Sequence, residues 1–171
     1  LLMLLCLTIL VSPAFAQDRS KRLQKAKQKT AGQGFFKAED GVLKSGIFHI
    51  RQSWAEETDY DRPVHVKVPN DVGPFPVSIM LHGRGGTGAR KLQAQRGMTD
   101  RIIIAPDGYK KGWSAQRPDV DFIRQIINYI KTCKITDGSN IAIHGASNGA
   151  GLLNQLMIEL EADTFHHGIC S

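Results

Sequence analysis

The feature that most constrains this chain is the pentapeptide Gly145-Ala146-Ser147-Asn148-Gly149, set between a β-type run and a helical one. Before it, Ile141-Ala142-Ile143-His144 has the apolar, β-branched character of a buried strand. After it, Leu152, Leu153, Leu156, Met157 and Leu160 recur at helical spacing. So tight a strand-turn-helix junction forces its middle residue into a strained backbone conformation and pushes the hydroxyl out over the sheet edge. Glycines two before and two after leave the room that the reversal needs. Ser147 is therefore the candidate nucleophile, and a helix N-terminus beside it favours negative charge on oxygen. The bare pattern is common; the flanking strand and helix make it specific.

Two further buried strands precede it. Val77-Ser78-Ile79-Met80-Leu81 ends in His82-Gly83-Arg84-Gly85-Gly86, and Ile102-Ile103-Ile104-Ala105 ends in Pro106-Asp107-Gly108. A polar helical stretch at about 89–95 separates them. Phe122, Ile123, Ile126, Ile127 and Ile130 line one face of another helix, with Asp119 or Asp121 as a cap and Asp137-Gly138 as the turn after it. Further upstream, 46–50 and 64–68 alternate as half-buried strands that suit an antiparallel pair, joined by the acidic, polar stretch 55–62. The order predicts an α/β domain with a mainly parallel sheet and helices on both faces. Ligands bind such sheets at the carboxyl ends of the strands, which here means the loops 82–88, 106–118 and 145–149.

Those loops supply the other candidates. The Asn148 N–H, first on the helix after Ser147, is placed to stabilise an oxyanion, and the glycine-rich loop offers a second donor at Arg84, with Gly83 next. No Gly-Lys-Ser or Gly-Lys-Thr follows that loop, which sets it apart from a nucleotide-binding P-loop. Trp113 and Tyr109 are candidate walls of a substrate cleft, as is His82, whose position in the oxyanion loop also suits structural hydrogen bonding. His144 reads as a packed residue. His166 and His167 come at the far end of the helix that follows Ser147, roughly 18 Å away. Hydrolases built on this elbow carry serine, acid and histidine in that chain order, so the acid and base are expected beyond Ser171.

The ends carry a different signal. Residues 1–11 are almost wholly apolar but shorter than the roughly 20 residues that span a bilayer. Pro13-Ala14-Phe15-Ala16 then provides a signal-peptidase pattern. Residues 1–16 are thus expected to be a signal peptide, 17–45 a basic leader or linker, and 46–171 a hydrolase domain incomplete at its C-terminus and inactive by itself. Most of the net charge of +6 lies in the first part of the leader, 17–34, where Arg19, Lys21, Arg22, Lys25, Lys27 and Lys29 face only Asp18. A basic run without interleaved aromatics is a poor nucleic-acid surface, and no stable membrane anchor is expected. Secretion permits a bridge between Cys133 and Cys170 without requiring one. Oligomeric state is left open, and no metal or organic cofactor is implied.

The strand into Leu81-His82-Gly83, the Pro106-Asp107-Gly108-Tyr109 turn, the Asp119-Val120-Asp121-Phe122-Ile123 run and the Ser147-Asn148-Gly149 elbow together resemble a known group. It is the secreted α/β-hydrolases of the polyhydroxybutyrate depolymerase, feruloyl esterase and acetylxylan esterase type. The resemblance implies an ester hydrolase with Ser147 as nucleophile and the 82–86 loop in the oxyanion hole. Ala150 stands where members often have glycine. The same elbow also serves peptidases and thioesterases, and a non-catalytic hydrolase-fold binding protein is the reading of a different class.

Overall fold

A computed structural model describes residues 43–51, 60–114, 117–160 and 164–171. The expected signal peptide and leader lie outside the described residues, apart from the last few positions of the leader. Among the described residues six strands form one sheet: β1 (Gly46–Arg51), β2 (Asp61–Lys67), β3 (Phe75–Leu81), β4 (Ile102–Pro106), β5 (Thr136–Gly145) and β6 (His167–Cys170). Three α-helices accompany them: α1 (Gly88–Ala94), α2 (Arg117–Ile130) and α3 (Asn148–Glu159). The strand order is β1-β2-β4-β3-β5-β6. β1, β2 and β4 are antiparallel neighbours, whereas β4, β3, β5 and β6 run parallel.

The apolar pattern explains this arrangement. Strands flanked on both sides need side chains that tolerate burial on both faces, and every residue of β4 is buried. The helical stripe Phe122, Ile123, Ile126, Ile127 and Ile130 is wholly buried against the sheet, each side chain contributing about 1.5–3 kcal/mol relative to exposure. The opposite face carries a smaller cluster, Met80, Ile103 and Ala105, capped by Leu92 and Met98. Thr87 starts α1 by accepting the Arg90 N–H on its hydroxyl, 3.3 Å away.

Outside the site loops, three of the sequence-based expectations are corrected. β2 begins at Asp61, so Arg62 is not part of a polar connection but a wholly buried strand residue paired with Ile50. Asp137-Gly138 falls inside β5, where the Asp137 carboxylate takes the Ser139 N–H and hydroxyl at 3.0 and 2.6 Å, a side-chain turn at the strand's entry. Asp119 does not serve as a helix cap. Its Oδ2 accepts the N–H and hydroxyl of Ser114, at 2.6 and 2.8 Å, and its Oδ1 lies 2.7 Å from the Arg62 guanidinium.

Candidate active site

β5 and α3 meet at Ser147, whose backbone lies at φ 49° and ψ −113°. Few residues with a Cβ adopt such angles, and holding one there costs about 1–3 kcal/mol. The flanking glycines show why the turn can form. A Cβ on Gly145 would come within 2.5 Å of the Gly149 carbonyl oxygen, and one on Gly149 within 2.7 Å of the Leu81 and His82 oxygens. The elbow is further tied to the ends of β3 and β6. Ala146 N–H donates to Leu81 O at 3.2 Å, Ser147 N–H to Ser171 O at 2.9 Å, and Ser171 N–H to Gly145 O at 2.9 Å. The Ser147 side chain is exposed, and its hydroxyl has no hydrogen-bond partner among the described residues.

The loop after β3 passes directly over this serine. A Cβ on Gly83 would stand 3.4 Å from Ser147 Cβ and 4.0 Å from Ser147 Oγ. Within the loop, Gly85 N–H donates to Lys111 O at 2.7 Å and Gly86 N–H to Gly83 O at 3.0 Å. These two amides are committed to holding the loop. The N–H groups of Arg84 and Asn148 donate to no protein acceptor among the described residues, and Ser147 N–H is occupied by Ser171.

No family model matches the sequence, and no curated protein matches it. Solved structures do. A poly(3-hydroxybutyrate) depolymerase from Bordetella parapertussis superposes with a TM-score of 0.57 at 18% identity, over 72% of this chain and 50% of that one. An acetyl xylan esterase from Aspergillus awamori gives 0.55 at 16% identity, over 72% and 50%. A 2,6-dihydroxy-pseudo-oxynicotine hydrolase gives 0.55 at 17%, over 68% and 34%. The fold is that of the α/β-hydrolases. Identities this low establish the fold alone, and the chain spans half or less of the length of these three structures.

In this hydrolase fold the expected cleft residues part company. Tyr109 stays half-buried at the rim, its ring edge-on to Tyr60 at 5.2 Å and the Lys110 ammonium 5.1 Å from its centre. Trp113 does not form a cleft wall: it is only 3% exposed, lying between His82 and Phe122. Its indole N–H donates to His82 O at 2.8 Å, a partner 31 residues away in sequence. His82 is likewise closed to a ligand, being 1% exposed. Its Nε2 accepts the Gly108 N–H at 2.9 Å, so the ring is neutral with its proton on Nδ1, which donates to Gly83 O at 2.8 Å. Burial holds its pKa below the usual histidine value, outweighing the contacts with Gly83 and Asp107 that act the other way.

The remaining histidines sit away from Ser147 Oγ. His144 packs beside β3 with a buried Nε2 that has no partner among the described residues, and burial, then Arg101 and Lys91, push its pKa down. His166 Nδ1 accepts the Ile141 N–H at 3.4 Å, midway along β5, and His167 opens β6. Among the described residues no imidazole is bonded to the Ser147 hydroxyl. Nor do three His, Cys, Asp or Glu side chains among them gather as a metal would require, and none of the helices is long and apolar enough to cross a membrane. Cys133 is a buried thiol and Cys170 an exposed one.

Sequence reasoning missed the side chain of Asn148 and the pair behind it. Asn148 Oδ1 accepts the Trp113 N–H at 2.7 Å, and its Nδ2 donates to Trp113 O at 2.9 Å. Asp119 then anchors the next residue, Ser114, while its partner Arg62 lies 4.5 Å over the Phe122 ring and 6.0 Å from that of Trp113. The Asp119–Ile123 run is conspicuous as a motif, but nothing local to Asp61-Arg62-Pro63 marks a buried cation.

Proposed function

We propose that this chain is the nucleophile-bearing part of a secreted serine carboxylic-ester hydrolase. The observation that carries the reading is Ser147 itself: an exposed hydroxyl on a strained junction, against Gly83, and, among the described residues, without a hydrogen-bond partner, as are the backbone N–H groups of its neighbour Asn148 and of Arg84. Ser147 Oγ attacks the ester carbonyl carbon while its proton passes to a histidine expected from the longer protein. The carbonyl oxygen becomes an oxyanion held by the two N–H groups, with Gly83 shaping the same wall. Collapse expels the alcohol, protonated by that histidine, and leaves an acyl-serine that water hydrolyses.

The substrate class we propose is a polyester, or phenolic or acetyl esters of polysaccharides, because the sequence resembles esterases of that group and a depolymerase and an acetyl xylan esterase share the fold. Secretion rests on the apolar stretch and cleavage pattern at 1–16. The test is covalent. A fluorophosphonate probe applied to the full-length protein should label Ser147 in the wild type and leave Ser147→Ala unlabelled. A wild type that does not react would rule the hydrolase reading out.

A further inference from the structure

The two segments that carry the candidate oxyanion donors are both bonded to one buried residue, Trp113. Trp113 meets the loop after β3 through its indole N–H, bonded to His82 O two residues before Arg84. It meets the elbow through its backbone, whose N–H and C=O are both held by the side chain of Asn148. The indole is clasped between the rings of His82 and Phe122, with centroids 5.0 and 6.5 Å away, so it has little freedom to tilt. Behind it, Ser114 is bonded twice to the buried Asp119 carboxylate. Gly108, at the other end of this loop, is fixed to the His82 ring.

We propose that Trp113 is the positioning residue of the oxyanion hole, holding the Arg84 and Asn148 amides at a set spacing through its indole N–H and its clamp on the Asn148 side chain. The inference rests on the ester-hydrolase reading of Ser147 and adds to it how the hole is kept preorganised. An oxyanion hole works because its donors need not reorganise as charge develops, and displacements of about 1 Å are enough to cost up to a hundredfold in rate. The two amides lie on different segments, one after β3 and one at the start of α3. The segments are joined at their bases by Ala146 N–H to Leu81 O, and Trp113 adds a second tie beyond the strand ends, from His82 O to the Asn148 side chain. Asn148 consequently has two separable parts: its backbone N–H faces the reaction, and its side chain faces Trp113.

The substitution Asn148→Ala keeps the backbone donor and removes the clamp. In the full-length protein it should speed hydrogen exchange at the Trp113 N–H and slow fluorophosphonate labelling of Ser147 about ten- to a hundredfold, lowering kcat on an ester with little change in KM. Trp113→Phe, which loses the indole N–H together with part of the ring's volume, should slow labelling in the same direction. Asn148→Asp gives a signature that mere structural damage would not. Its carboxylate accepts from Trp113 N–H but repels Trp113 O, whereas the protonated acid restores both bonds, so its rate relative to wild type should rise as pH falls. Unchanged Trp113 exchange in Asn148→Ala overturns the clamp. Faster exchange with wild-type labelling overturns its role in the hole. Failure of the wild type to react overturns instead the hydrolase reading and, with it, the catalytic meaning of the clamp.

Discussion

Asn148 holds Trp113 by both halves of its side-chain amide, 2.7 Å to the backbone N–H and 2.9 Å to the carbonyl. An amide side chain paired this way takes the place of a neighbouring peptide, so the elbow is stitched to the loop after β4 as one strand is to another. The site is thereby part of the core's bonding pattern, and several of its properties can be measured as stability.

The strain at Ser147 is the first of these. Glycine accepts φ 49° and ψ −113° without penalty, so Ser147→Gly should abolish fluorophosphonate labelling yet stabilise the domain. The relief of about 1–3 kcal/mol exceeds glycine's entropic cost of about 0.5–1, leaving a net gain of about 1 kcal/mol in urea unfolding.

The opposite holds two residues earlier. A methyl group at position 145 would meet the Gly149 carbonyl oxygen at 2.5 Å and Ala150 Cα at 2.7 Å, both backbone atoms that cannot swing aside. Gly145→Ala should destabilise by about 1–3 kcal/mol and slow labelling of Ser147, read by the same two measurements.

Arg62 and Asp119 form a buried pair at 2.7 Å. Arg62→Met leaves the Asp119 charge uncompensated and should cost about 3–5 kcal/mol, whereas adding Asp119→Asn should recover part of that loss. A double-mutant cycle in denaturant checks the coupling; strictly additive effects would refute it.

His82 gives a pH dependence of known sign. Its folded pKa lies below the ordinary 6.5, so the unfolded chain takes up a proton that the folded one refuses as pH falls through that value. The neutral-ring contribution to stability is full above about pH 6.5 and is lost as pH drops towards the folded pKa. His144 is shifted the same way. Melting temperature should thus fall on acidification, and His82→Gln, which can still accept the Gly108 N–H, should make the fall shallower.

Apolar side chains are exposed on α3 and on β6, the last strand of the described sheet. Ile158 is 78% exposed, Met157 59% and Ile169 on β6 48%. An open edge strand beside such a patch templates association, so the isolated 171-residue chain should self-associate in light scattering. The Ile158→Lys/Ile169→Lys variant should reduce it.

The parts of this structure legible in the sequence are those whose signal is local. Continuous apolar runs gave away β3, β4 and the paired part of β5, and the glycines around Ser147 announced a backbone reversal that only glycine admits. Trp113 misled because an aromatic in a loop looks the same whether it faces a cleft or the core; what buries it is a carbonyl on a different segment. Arg62 was unreadable for a similar reason. A cation enters a core only when its counter-ion is waiting there, and Asp119 lies more than fifty residues further on. Asp119 in turn looked like a cap because helix starts favour such residues, but the pull of a buried guanidinium and of Ser114 proved stronger.

The bond from Ser147 N–H to Ser171 O and its return from Ser171 N–H to Gly145 O carry a consequence for biosynthesis. The elbow acquires its last two backbone bonds only when β6 has docked, and β6 is made after the whole of α3. In the order of synthesis the turn at Ser147 is therefore made before the segment that closes it, and its backbone bonding is complete only once Ser171 has joined the chain.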